Sequence, residues 1–127
     1  MKQEARVADL MSTALVCVRD TDTVGTALRE MQRGSLHHLP VVDEHRNLVG
    51  VLSSTDIRGV GVCTPEQRIG RFMSRSVVTV TEETLAVQAR DLMTDNAFHS
   101  LPVVDSDGHL IGILTETDLL RTRDFEG

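Results

Sequence analysis

Two pairs of residues in this chain have the types and spacing of a helix cap whose end could also hold a nucleotide: Ser53 with Asp56, and Thr115 with Asp118. In each pair a hydroxyl stands three positions before a carboxylate, at the start of a segment that reads as helix. One chemistry that fits this spacing is internal. In a capping box the hydroxyl accepts the N–H of the third helical residue, and the acid there reaches back to the cap residue's backbone N–H. The other is external. A carboxylate has two acceptor oxygens and can take both hydroxyls of a cis-diol, while the positive end of the helix dipole favours an anion beside it. A sugar carrying a phosphate, as in a nucleotide, would meet both demands. Thr55 and Thr117 add a second hydroxyl inside each motif, and His37 and His99 each lie three residues before a proline in an apolar run. A histidine there is either a half-exposed packing residue or a cation for the anion; His38 and Ser100 are weaker candidates beside them.

The elements that must position these residues occur twice. One constant offset carries Val7 onto Ile69, His37 onto His99 and Asp56 onto Asp118 without a gap. Such a fixed period signals internal duplication into two similar units. The repeats span residues 7–60 and 69–124, with a linker at 61–68. Each opens with apolar residues at helical spacing, Val7–Ser12 and Ile69–Ser74, which predicts a brief helix. Short β-rich runs follow, Leu15–Val18 and Val77–Val80, predicted as strands, with Cys17 buried in the first. Helices are then expected from the N-cap residues Asp22 and Thr84. Their apolar stripes are Val24, Ala27, Leu28 and Met31, and Leu85, Ala89, Leu92 and Met93. Gly34 and Asn96 suit the helix C-caps. A hairpin is expected next, through Val41-Val42 and Leu48–Leu52, with Asp107-Gly108 a strong turn signal in the second repeat. Gly50 and Gly112 on its second strand would let a ligand or a neighbouring backbone come close. Closing helices are predicted over Thr55–Val60 and Thr117–Arg123. Each repeat therefore reads helix, strand, helix, strand, strand, helix.

Composition bounds what such a chain can be. With 127 residues there is room for one domain or for two half-domains sharing a core, at a hydrophobic fraction of 40% and a charged fraction of 25%. No apolar run has the length of a membrane span. The charged segment Met1–Arg6 precedes no secretory-type apolar run, so no export signal is read and a cytoplasmic location is expected. A net charge of −6 disfavours nucleic-acid backbone binding but leaves a local anion site possible. Cys17 and Cys63 have no paired-cysteine spacing and read as reduced thiols. There is no Gly-rich phosphate loop, nucleophile elbow or His-Glu-x-x-His motif, so an enzyme is not expected.

The His-x-Leu-Pro-Val-Val-Asp strand of the first repeat, its partner in the second, and the Gly-hydrophobic-Leu-Ser/Thr-x-x-Asp endings resemble the CBS domain. The tandem pair is similar to a Bateman module over about residues 7–124. The resemblance implies an α/β (α+β) fold of two pseudo-twofold related CBS repeats sharing one core, with clefts between them. It implies a non-catalytic regulatory or sensor module that binds an adenosine-containing ligand: AMP, ADP, ATP or S-adenosylmethionine. By the same resemblance Asp56 and Asp118 receive the ribose hydroxyls, and Ser53, Thr115, Thr55 and Thr117 lie near the phosphate. His37 and His99 match positions that face the phosphate in a nucleotide-sensing kinase subunit, where the place of Thr55 and Thr117 can hold a lysine. Val16, Cys17 and Val18, with Val78, Thr79 and Val80, would line the adenine. With no Trp or Tyr and three Phe, ring stacking would contribute little. Arg58, Arg121 and Arg123 could reach phosphates. A homodimer and an unidentified regulated protein are the partners expected. Two other readings stay open: a structural dimerisation module with empty clefts, and metal binding through His37, His38 and His99.

Overall fold

The structure, a computed structural model, describes residues 5–58 and 64–120. Its elements run α1 (Val7–Leu10), β1 (Val18–Arg19), α2 (Val24–Gly34), β2 (His38–Val42), β3 (Leu48–Ser53) and α3 (Ser54–Arg58), then a single 3-10 turn (Ile69–Arg71), α4 (Ala86–Asn96), β4 (Ser100–Val104), β5 (Leu110–Thr115) and α5 (Glu116–Leu120). The mixed α+β order of two repeats is the one expected from the sequence.

The chain divides into two compact units that do not follow the repeat boundaries. A central unit is Val16–Val77; a terminal unit joins Met1–Leu15 to Val78–Gly127. Each repeat's opening segment therefore packs with the strands of the other repeat. In the terminal unit Ser12 pairs with Ile113, the Ser12 N–H donating to the Ile113 carbonyl at 2.9 Å and the Ser12 carbonyl accepting the Ile113 N–H at 3.0 Å. In the central unit Ser74 pairs with Val51 in the same way, at 2.9 and 3.0 Å. The two glycines are the reason this docking is possible. A Cβ at Gly50 would lie 2.7 Å from the Ser74 carbonyl oxygen, and one at Gly112 would lie 2.8 Å from Met11 Sδ and 3.1 Å from the Ser12 carbonyl oxygen. Both the backbone and the methionine of the opening segment, Met73 or Met11, approach these glycines.

In the central unit β2 pairs antiparallel with β3 and parallel with β1, in the order β1-β2-β3. The terminal unit has the β4-β5 hairpin, with Val80 bridging parallel to Val103. Both hairpins carry a register shift at the same place, between Val41 and Val42 and between Val103 and Val104. Their turns are built on Asp43 and Asp105. Asp43 Oδ1 accepts the backbone N–H groups of His45 and Asn47 at 2.8 and 2.9 Å. Asp105 Oδ1 accepts those of Asp107 and His109 at 2.9 and 3.0 Å. The left-handed turn residue is Gly108 (φ 88°) in the second and Arg46 (φ 68°) in the first.

Apolar side chains gather in two clusters, one in each unit. The central cluster includes Val18, Ala27, Met31, Leu39, Val41, Leu52 and Ile69, and the terminal one Val7, Leu10, Val80, Ala89, Met93, Leu101 and Leu114. Each unit thus has a core of its own.

Several boundaries differ from the sequence reading. The strand expected over Leu15–Val18 shrinks to Val18–Arg19, and that over Val77–Val80 to the single bridge at Val80. Cys17 is half-buried and outside the strand. Pairing to β2 or β4 is available only at the end of each run, and β propensity without a partner does not make a strand. Helices α2 and α4 begin one residue later than Asp22 and Thr84 suggested. Asp22 instead accepts the Arg19 N–H at 2.8 Å, and the Thr84 hydroxyl accepts the Thr81 N–H at 3.1 Å, closing the turn before each helix. Gly34 and Asn96 end their helices, but the left-handed residues are Ser35 and Ala97. Helices α3 and α5 begin at Ser54 and Glu116, one residue earlier than read.

Candidate functional site

Within each unit, hairpin register brings the candidate residues to one end. Pairing of His38 with Ser53 and of Ser100 with Thr115 is the last step of each ladder. Beyond it the chain turns into the closing helix, whose first N–H, from Ser54 or Glu116, donates to the carbonyl of His37 (2.8 Å) or His99 (3.1 Å). The hairpin therefore ties a histidine to the start of the Ser/Thr-x-x-Asp helix in both units.

Both capping boxes are formed. In the central unit Ser53 N–H donates to Asp56 Oδ2 at 2.8 Å, and Asp56 N–H donates to Ser53 Oγ at 3.2 Å. In the terminal unit Thr115 N–H donates to Asp118 Oδ2 at 2.9 Å, and Asp118 N–H to Thr115 Oγ1 at 3.2 Å. The Thr115 hydroxyl also donates to Asp118 Oδ2, at 3.0 Å. Ser53 Oγ lies instead 2.9 Å from Thr55 Oγ1. Asp118 is 5% exposed and is the one buried charged side chain among the described residues, whereas Asp56 is half-buried. In both boxes the printed capping bonds fall on a single carboxylate oxygen, Oδ2.

The surrounding side chains differ between units. His37, His38 and Thr55 are exposed in the central unit, with Ser53 and Ser54 half-buried. In the terminal unit His99 and Thr117 are exposed and Ser100 is half-buried. His99 Nδ1 lies 2.8 Å from Glu116 Oε1, and both side chains are largely exposed. Glu116 is a residue the sequence reading did not single out. The signal was present: antiparallel pairing of Ser100 with Thr115 places His99 and Glu116 one step further along the same ladder. His37 also borders a cleft of about 500 Å³ beside the end of α2, with Leu28, Met31, Gln32, Ser35 and Leu36.

The segments expected to line a base divide in two. Val18 and Val80 are buried core residues at 3% and 4% exposure. Val16 and Thr79 are exposed and Cys17 and Val78 half-buried, outside regular strands. Arg121, Arg123 and Cys63 lie outside the described residues, and Arg58 is the last residue of α3. Of the three histidines considered for a metal, His37 and His38 belong to the central unit and His99 to the terminal one. The one group of three metal-ligand side chains that comes together among the described residues is Asp105, Asp107 and His109, in the β4-β5 turn. There the first carboxylate already organises the turn. No described helix is long and apolar enough to cross a membrane.

Comparison with known proteins places this geometry. The model of the CBS domain matches residues 7–62 and 69–124. The chain is 34% identical over 111 residues to inosine-5′-monophosphate dehydrogenase of Methanocaldococcus jannaschii, covering 87% of this chain but only 22% of that enzyme. It thus corresponds to an added part of a much longer relative. Among solved structures, CBSX2 of Arabidopsis thaliana in complex with AMP superimposes with a TM-score of 0.83 at 31% identity, covering 94% of this chain and 96% of that one. The CBS domain pair of protein MJ0100 in complex with 5′-methylthioadenosine and S-adenosyl-L-methionine does so with a TM-score of 0.83 at 27% identity, covering 96% and 98%. With two matched domains spanning nearly its whole length, the chain belongs to the CBS-domain family and is a tandem pair.

Proposed function

We propose that this protein is a non-catalytic sensor module that binds an adenosine-containing ligand at the hairpin ends, Asp56 and Asp118 receiving the ribose hydroxyls. The observation that carries the reading is the twice-built arrangement of a strand-end histidine, a hydroxyl and a capping carboxylate. Two CBS pairs of the same fold and nearly the same length are described with AMP and with S-adenosylmethionine, which supports the ligand class. Ser53, Thr55, Thr115 and Thr117 would donate to the group on the ribose 5′ carbon. His37, His38, His99 and Ser100 would stand beside it, and Val16, Cys17, Val78 and Thr79 would meet the base. Ligand binding then alters the surface offered to a regulated protein or a second copy of the chain.

The test is calorimetry and thermal shift across AMP, ADP, ATP, S-adenosylmethionine and divalent metal ions. An adenosyl compound is expected to bind with micromolar affinity, about −6 to −8 kcal/mol. Stabilisation by metal ions alone, with no adenosyl compound bound, would overturn the reading.

A further inference from the structure

We infer that the first residue of each closing helix sets the charge of the ligand its unit accepts. The central unit, with Ser54 there, takes a nucleoside phosphate. The terminal unit, with Glu116, takes an adenosyl group whose 5′ substituent is uncharged or cationic, such as a thioether or a sulfonium. This rests on the adenosyl-binding reading above.

The backbone at the two positions is equivalent: each N–H donates to the carbonyl of the strand-end histidine, at 2.8 Å for Ser54 to His37 and 3.1 Å for Glu116 to His99. The side chains are not. Glu116 Oε1 stands 2.8 Å from His99 Nδ1, so the imidazole that an anion would need is already matched by a carboxylate of its own unit. Together with Asp118, the described side chains at this end comprise two carboxylates, one histidine and the hydroxyls of Ser100, Thr115 and Thr117. At the central end the corresponding set is one carboxylate, Asp56, with two histidines, His37 and His38, and the hydroxyls of Ser53, Ser54 and Thr55. Those hydroxyls donate to phosphate oxygens as readily as to one another.

A phosphate placed beside His99 would have to displace Glu116 or lie next to it. Two like charges about 5 Å apart in a partly solvated site weaken binding by about fivefold to fifteenfold. A sulfonium at the same place gains by a similar factor. The same hairpin end, duplicated, has been given opposite electrostatic preferences by one side chain.

The experiment is titration calorimetry of AMP and of S-adenosylmethionine into the unaltered chain and into Glu116→Ser, Glu116→Gln and Ser54→Glu. None of these substitutions touches an apolar core, and Glu116→Gln keeps the shape of the side chain. Both Glu116 variants should tighten the weaker AMP-binding step by about fivefold to fifteenfold and weaken S-adenosylmethionine by a similar factor. Ser54→Glu should weaken the tighter AMP step. An unchanged ratio of AMP to S-adenosylmethionine affinity in all three variants would overturn this inference alone. Failure of the unaltered chain to bind either compound would overturn the adenosyl-binding reading and this inference together.

Discussion

Asp56 and Asp118 each place a carboxylate oxygen on the backbone N–H of the residue that caps a closing helix, and the same carboxylate is what a ribose diol would need. The two roles separate by measurement. Asp56→Ala should cost about 1 kcal/mol of stability as a lost cap. Asp118→Ala should cost about 2 kcal/mol, because two donors of Thr115 lose a nearly buried charged acceptor. In a ligand-binding role each change should also weaken AMP or S-adenosylmethionine by at least tenfold in calorimetry. Lost stability with full affinity would leave the aspartates as caps. A second residue-scale prediction concerns acid. Burial acts to raise the Asp43 carboxyl, but hydrogen bonds from Asn47 and His45 outweigh it and hold it below its ordinary value. The His109 backbone N–H is the main cause of the same lowering at Asp105. Groups depressed on folding stabilise the chain above their unfolded value of about 3.9, and that contribution is lost as pH falls through the lower folded values. Asp43→Asn and Asp105→Asn should therefore flatten the loss of thermal stability between about pH 4 and pH 2. Equal acid slopes in variant and parent would refute it. At this scale the capping boxes were legible because their spacing is local. Glu116 was missed because its partner lies across a hairpin.

At the scale of elements, what could be read was whatever periodicity and turn chemistry determine alone. The stripes of α2 and α4, the hairpins and the Asp107-Gly108 turn are of this kind. The β1 segment was over-read because Leu15-Val16-Cys17-Val18 has strand composition along its length, while only Val18 and Arg19 meet Val41 and Val42. The glycines of β3 and β5 announced a close approach without saying of what. Their structural role gives the third prediction. Gly50→Ala should cost more than Gly112→Ala in urea denaturation, within the range of about 1 to 3 kcal/mol typical of overpacking. At Gly50 the nearest atom is a backbone oxygen at 2.7 Å, whereas at Gly112 it is a flexible methionine sulfur that can move aside. Equal, small losses at both positions would show that the opening segments are not held tightly against their strands.

For the whole molecule, the exchange of opening segments means that repeat and folding unit are different objects. Sequence similarity runs from Val7 and from Ile69, because duplication copies contiguous chain. Packing instead sends Val7 and Leu10 into the core with Leu101 and Leu114, and Ile69 and Met73 into the core with Leu39 and Leu52. No periodicity argument could reveal this, since either segment has the same amphipathic pattern and would fit either sheet. Two fragments of similar length distinguish the alternatives. Residues 16–77 contain β1, α2, the β2-β3 hairpin, α3 and the segment whose Ser74 pairs with Val51, so every residue of the central core is present. Residues 1–60 contain the whole first repeat but lack Ile69 and Met73, and they carry Val7 and Leu10 with no partners to bury them. Without the burial of these four side chains, two missing and two left exposed, the fragment forgoes about 1.5 to 3 kcal/mol for each, comparable with the entire stability expected of a unit this small. Fragment 16–77 should therefore unfold cooperatively on heating, with dispersed amide resonances, and fragment 1–60 should not. Cooperative folding of 1–60 with none in 16–77 would mean that each repeat keeps its own opening segment.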